Sequence, residues 1–173
     1  MSAAPAYAPV ERGANTVPRI QLLDGERIGR DLDARGCAVL PGLVESEDCR
    51  AWAGLYANDA DFRSRIVMAR HGFGRGEYKY FGYPLPAAVQ RLRNALHSLL
   101  APVANRWNQA MGPKTRFPDA HESFLAHCHA SGQRQPTPLL LQHEAEDYNC
   151  RHGVSRIRSG RRHTMGIIFH DAR

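Results

Sequence analysis

Near the C-terminus, His152 and Arg162 bring together two residue types that could do chemistry as a pair. A neutral imidazole suits Fe(II), and a guanidinium offers a planar, permanently charged fork to a carboxylate. Each lies in a run with strand character: Val154 and Ile157 lead into Ser159-Gly160, and Thr164, Met165, Ile167, Ile168 and Phe169 lead away from it, which predicts a hairpin. Strand side chains alternate, so the loop length decides which of them share a face. A three-residue loop, Arg158-Ser159-Gly160 with Gly160 left-handed, pairs Ile157 with Arg161 and puts His152, Val154, Arg162, Thr164 and Gly166 on one side. Ser155, Ile157, Met165, Ile167 and Phe169 then form an apolar face suited to packing beneath helices. A two-residue loop reverses this and puts Arg161 on the face of His152. On the first register roughly 13 Å of strand separates imidazole from guanidinium, a gap that a small dicarboxylate could bridge, with Gly166 leaving room beside it. By spacing alone, an isolated His and Arg in a strand are more often ordinary surface or hydrogen-bonded residues.

Other groups give weaker patterns. His127-Cys128-His129, with His121, His143 and Cys150, offers soft ligands for zinc, but the spacing matches no standard finger and adjacent helical residues point apart. The stretch from Arg70 to Tyr83 has glycines at 72, 74 and 76 with no helix after them, which excludes a dinucleotide-binding turn. Its aromatics, mixed with Arg and Lys, could stack on bases, although a hairpin or Gly-rich loop whose aromatics cover core is the stronger reading. Cys37, Cys49, Cys128 and Cys150 are scattered without a Cys-x-x-Cys pair, which suits a reducing compartment.

The elements that must position these groups follow from local pattern. Residues 1–18, rich in Ala and Pro, predict a flexible arm, and 19–173 a single domain, since 173 residues suffice for one core. Asp24 and Gly36 bracket a helix containing Ile28 and Leu32. Cys37 to Leu40 reads as a short buried strand, and Ser46 caps a second helix running to about Tyr56. Arg65 to Met68 reads as a strand. Val89, Leu92, Leu96, Leu99, Leu100, Val103 and Trp107 define the longest helix, with a kink expected at Pro102 and an end at Gly112-Pro113. A further helix is expected within 118–130 and a strand from Pro138 to His143.

The whole pattern resembles the Fe(II)/2-oxoglutarate-dependent dioxygenases, closest to bacterial prolyl-hydroxylase-like oxygenases. His152 to Asp171 is similar to the last two core strands of that family. Arg35 to Leu43 resembles the strand before its first helices, and Leu139 to Cys150 the approach to its first metal motif. The resemblance implies an α+β fold, N-terminal helices packed on a double-stranded β-helix (jelly-roll) core. It also implies His152 as the distal iron ligand and Arg162 as the partner of the far carboxylate of 2-oxoglutarate, with Tyr148 or Gln142 lining the pocket. The implied cofactors are Fe(II), 2-oxoglutarate and ascorbate, and the implied substrate a small molecule or peptide, with proline hydroxylation as one outcome.

The chain departs from that pattern in one place. None of its nine histidines has Asp or Glu at the second following position, so the His-x-Asp element of the iron site is missing. Cys150 runs directly into Arg151-His152, and only 35 residues follow Pro138, enough for about three strands. The core is therefore expected to be incomplete, shortened near 150/151, and the oxygenase activity impaired or absent. The alternative is a non-catalytic basic module that binds nucleic acid or another polyanion. A net charge of +6, with Arg151, Arg156, Arg158, Arg161, Arg162 and Arg173 crowded together, is compatible with that alternative. No apolar run approaches the length of a membrane span and the first residues lack a signal-peptide pattern, so the expectation is a cytoplasmic protein with no membrane partner.

Overall fold

In a computed structural model, residues 16–72, 76–144 and 157–169 are described. Three helices come first: α1 (Thr16–Gln21), α2 (Gly25–Arg35) and α3 (Ser46–Leu55). A hairpin of β1 (Phe62–Val67) and β2 (Glu77–Phe81) follows, then the long α4 (Ala87–Met111), α5 (His121–Ala130), β3 (Leu139–Glu144) and β4 (Arg161–Gly166). The strands form one open antiparallel sheet in the order β1-β2-β3-β4, so the architecture is α+β. No helix among the described residues is long and apolar enough to cross a membrane.

The helix ends follow their sequence signals. The Asp24 carboxylate accepts the Arg27 N–H at 2.9 Å, and Gly36, at φ 69°, closes α2 by donating its N–H to the Leu32 carbonyl. Helix α4 contains Pro102 and stops at Gly112, φ 98°. Three expectations need correction. Helix α1 begins at Thr16, inside the stretch read as an arm, because Thr16 and Ile20 are buried and the Thr16 hydroxyl donates to Asp48. Cys37 to Leu40 forms no strand: it has no ladder partner, Val39 is 71% exposed, and the next residues, Leu43 and Val44, make the core contact instead. Helix α3 starts at Ser46 with Glu45 as its cap residue, one position earlier than the sequence suggests.

All the helices that contact the core lie on one side of the sheet. Phe81, Leu140 and Met165 project from β2, β3 and β4 onto Tyr56, Leu55 and Val89, and Met165 and Ile167 continue into a second group with Ile20, Trp52 and Leu92. The same face holds one buried charge. Lys79, 5% exposed, donates to the Tyr56 carbonyl at 2.8 Å and to Asp59 at 2.6 Å, and lies 4.3 Å from the centre of the Tyr56 ring. These partners offset the cost of removing the ammonium from water.

Helix α5 packs on α4 through rings. His97 stacks on Phe124 at 5.0 Å, His121 meets His97 at 5.2 Å, and Phe169 closes the group at 5.6 Å from His97. Burial, with the nearby Arg93 and His97, pushes the His121 pKa down to about 4. The folded protein therefore holds this imidazole neutral while the unfolded chain protonates it below about 6.5. Its contribution to stability is complete above that value and is lost as pH falls from about 6.5 towards 4. The variant His121→Phe should thus lose less stability between pH 7 and pH 5 than the wild type, measured as the shift of the urea midpoint.

Candidate functional site

The face turned away from the helices is built by strand alternation. Arg162 is the second residue of β4 and lies opposite His143 of β3; Thr164 lies opposite Leu141, and Gly166 opposite Leu139. Tyr78 and Tyr80 of β2 continue the same face beside Leu141 and Leu139, and Ile66 and Ser64 of β1 complete it. The two tyrosine rings meet edge-on at 5.7 Å, and the Arg63 guanidinium sits 4.7 Å over Tyr80 while donating to the Pro136 carbonyl. A buried imidazole at His143, a guanidinium, a hydroxyl and a Tyr–Tyr–Arg platform thus share one surface.

Arg162, Thr164 and Gly166 share this face, and Met165 and Ile167 point into the helices, as strand alternation requires whatever the length of the loop before β4. Gly160 adopts the left-handed conformation, φ 73°. His152 and Tyr148 lie outside the described residues, as does the first strand of the predicted hairpin; the described partner of β4 is β3. The space beside Gly166 is not free, because a Cβ there would lie 3.3 Å from Leu139 Cγ. Gln142 also departs from the pocket role, since it faces the helices and bonds His163 Nε2 at 3.1 Å. Nor do the soft ligands assemble: His121 and Cys128 are buried in α5, His143 is in β3, and no group of three or more His, Cys, Asp or Glu among the described residues is placed to hold a metal. Local pattern carries no signal for Arg63, whose role depends on the Tyr80 ring of β2 and the Pro136 carbonyl, both distant from it in the chain.

Electrostatics separate the two faces. Arg161, one residue from Arg162, alternates to the helix side and pairs with Glu144 at 3.0 Å. Burial, with Arg161 close by, keeps the His163 pKa below its ordinary value, so this imidazole is neutral against the Tyr56 ring. Glu77 accepts two Arg65 donors at 2.7 and 3.0 Å and the Tyr56 hydroxyl at 3.1 Å; Arg65 is the main cause of its lowered pKa. Burial, reinforced by Glu77, pushes Tyr56 up to about 12. That side is a network tying strands to helices, and the opposite face, which carries Arg162 and the Tyr78–Tyr80–Arg63 platform, is the candidate site.

Comparison with known proteins places the chain in a family. Residues 76–152 and 149–172 match the Oxygenase-NA family, described as an oxygenase catalysing oxidative methylation of damaged DNA. The two segments cover more than half of the chain, and the chain belongs to this family. Its described substrate is damaged DNA, which corrects the prolyl-hydroxylase-like placement. Two uncharacterized proteins of Mycobacterium tuberculosis, from strains CDC 1551 / Oshkosh and H37Rv, are each 38% identical over 72 residues, 42% of this chain and 31% of the relative. The match thus spans about a third of those relatives. No solved structure matches the chain.

Proposed function

We propose that this chain is a shortened Fe(II)/2-oxoglutarate-type oxygenase of the DNA-damage class that binds 2-oxoglutarate and damaged DNA but turns over little or no 2-oxoglutarate. The observation that carries the reading is Arg162, on the face away from the helices, within the second segment that matches the oxygenase family. Its guanidinium takes the far carboxylate, and Thr164, two residues on and on the same face, offers a hydroxyl beside it. Tyr78, Tyr80 and Arg63 form a platform on which a base can stack. In this reading the sheet is one wall of an incomplete jelly roll shortened near 150/151.

The donor set does not fit an iron centre. His97 bonds the Pro118 carbonyl, His163 bonds Gln142, His121 is held among rings, and no three His, Cys, Asp or Glu among the described residues come together to hold a metal. No His-x-Asp is present to complete two histidines and a carboxylate. No reaction step is therefore assigned to iron here.

The test is 2-oxoglutarate binding by calorimetry beside succinate production with iron, ascorbate and a methylated single-stranded oligonucleotide. Binding without turnover is the expected result. Succinate formed at the rate of a relative that carries His-x-Asp overturns the inactive reading, and absence of 2-oxoglutarate binding overturns the assignment of Arg162.

A further inference from the structure

Away from that face, between α4, α5 and the segment after β4, lies a cavity of about 200 Å³ walled by rings: Trp107, Phe117, Phe124, Phe169 and His97. It is smaller than the roughly 300 Å³ and upward of a drug-sized ligand site, and suits one planar ring system. Trp107 is 37% exposed at its mouth, with its indole N–H held at 2.6 Å by Asp33, a carboxylate that Arg106 neutralises at 2.8 Å. That bond fixes the ring and leaves its face to the cavity. The segment that supplies Phe117 runs along the end of α4, anchored where Asn105 binds both the N–H and the carbonyl of Phe117 and Asn108 binds the Thr115 carbonyl. It also carries Lys114 and Arg116, both exposed. Among the described residues neither has a carboxylate partner, and the Arg116 guanidinium contacts only the Pro113 and Thr115 carbonyls.

We infer that this cavity is a second nucleic-acid subsite, in which one base of a single DNA strand stacks among Trp107, Phe117 and Phe124 while Lys114 and Arg116 meet its flanking phosphates. The inference rests on the reading of the chain as a DNA-damage oxygenase and deepens it. Aromatic faces accept any base, and cations beside them track the backbone, which is the combination used by proteins that hold single strands without reading sequence. None of Arg63, Tyr78, Tyr80 and Arg162 lines this cavity, so the base held here is not the one stacked on the Tyr78–Tyr80–Arg63 platform. The cavity grips the strand at a distance from the damaged nucleotide.

Trp107 is also the reporter, since the other tryptophan, Trp52, is buried in the helical core. Titration of the full chain with an oligo-dT 12-mer should quench Trp107 emission saturably, and Trp107→Phe should remove the signal. In the double variant Lys114→Glu/Arg116→Glu, both positions exposed and without an ion pair among the described residues, affinity at low salt should fall about ten-fold or more. The slope of log K against log salt should drop by about 1.4, at about 0.7 for each lost phosphate contact on a single strand. If the oligonucleotide binds with no change in Trp107 emission, or the double variant binds with unchanged affinity and slope, this subsite is overturned while the DNA reading stands. Quenching by a small apolar indole-like probe but not by DNA means a small-molecule pocket and overturns it too. If no oligonucleotide binds at all, the DNA reading falls with it, while 2-oxoglutarate binding remains separately measurable.

Discussion

If Arg162 holds the far carboxylate of 2-oxoglutarate as proposed, Arg162→Ala should lower the affinity for it by about a hundred-fold, and Arg162→Lys by about ten-fold. A hydrogen bond to a charged group contributes about 1.5–3 kcal/mol, and each 1.4 kcal/mol is a factor of ten. Truncation removes both arms of a bidentate contact and its charge, whereas lysine keeps the charge and loses the fork. The informative control is the neighbour. Arg161 faces the helices and is paired with Glu144, so Arg161→Ala should leave affinity within about two-fold. Calorimetry on the three variants decides the matter: if Arg161→Ala loses binding and Arg162→Ala does not, the carboxylate lies on the other face of β4.

The largest expected effect on stability comes from Phe81→Ala. Phe81 is fully buried, stacks on Phe62 at 4.6 Å, and joins β2 to Val89 of α4 and Leu140 of β3. Truncating such a ring costs about 3–5 kcal/mol, which is a large part of the roughly 5–15 kcal/mol that holds a domain of this kind together. The melting temperature should fall by about 10 °C or more. Leu22→Ala is the comparison, since Leu22 is 86% exposed and its loss should change stability by less than about 0.5 kcal/mol. A loss below about 1 kcal/mol at Phe81 would contradict its place between sheet and helices.

Patterns that depend on neighbours in sequence were legible before the structure was in hand. The period of Val89 to Trp107 gave α4, Asp24 and Gly36 gave both ends of α2, and the alternation through Thr164 and Met165 placed Arg162 on the face away from the helices. What stayed hidden depends on partners distant in the chain. Whether Cys37 to Leu40 becomes a strand is decided by whether another strand offers it a ladder, and none does. The cavity around Trp107 draws on four separated stretches, so no local spacing announces it. Gln142 was misplaced because its role depends on which face of β3 meets His163. The oxygenase resemblance was readable from the closing strands, but its substrate class was not, since strand pattern reports scaffold and the residues that select a substrate lie elsewhere.

The sheet follows the order of the chain, yet its joints are unequal. Nine residues separate β1 from β2, whereas 57, including α4 and α5, separate β2 from β3. Closing the longer loop costs about 1.5 kcal/mol more in chain entropy than closing the shorter one if both are flexible, and forming α4 and α5 first shortens the distance to be closed. The β1–β2 hairpin and the two helices are local structures that can form early; the ladder between Tyr80 and Leu139 cannot. Pairing Tyr80 with Leu139 is the step at which the long connection closes, so substitutions at this seam in the middle of the sheet should slow folding more than substitutions in β1.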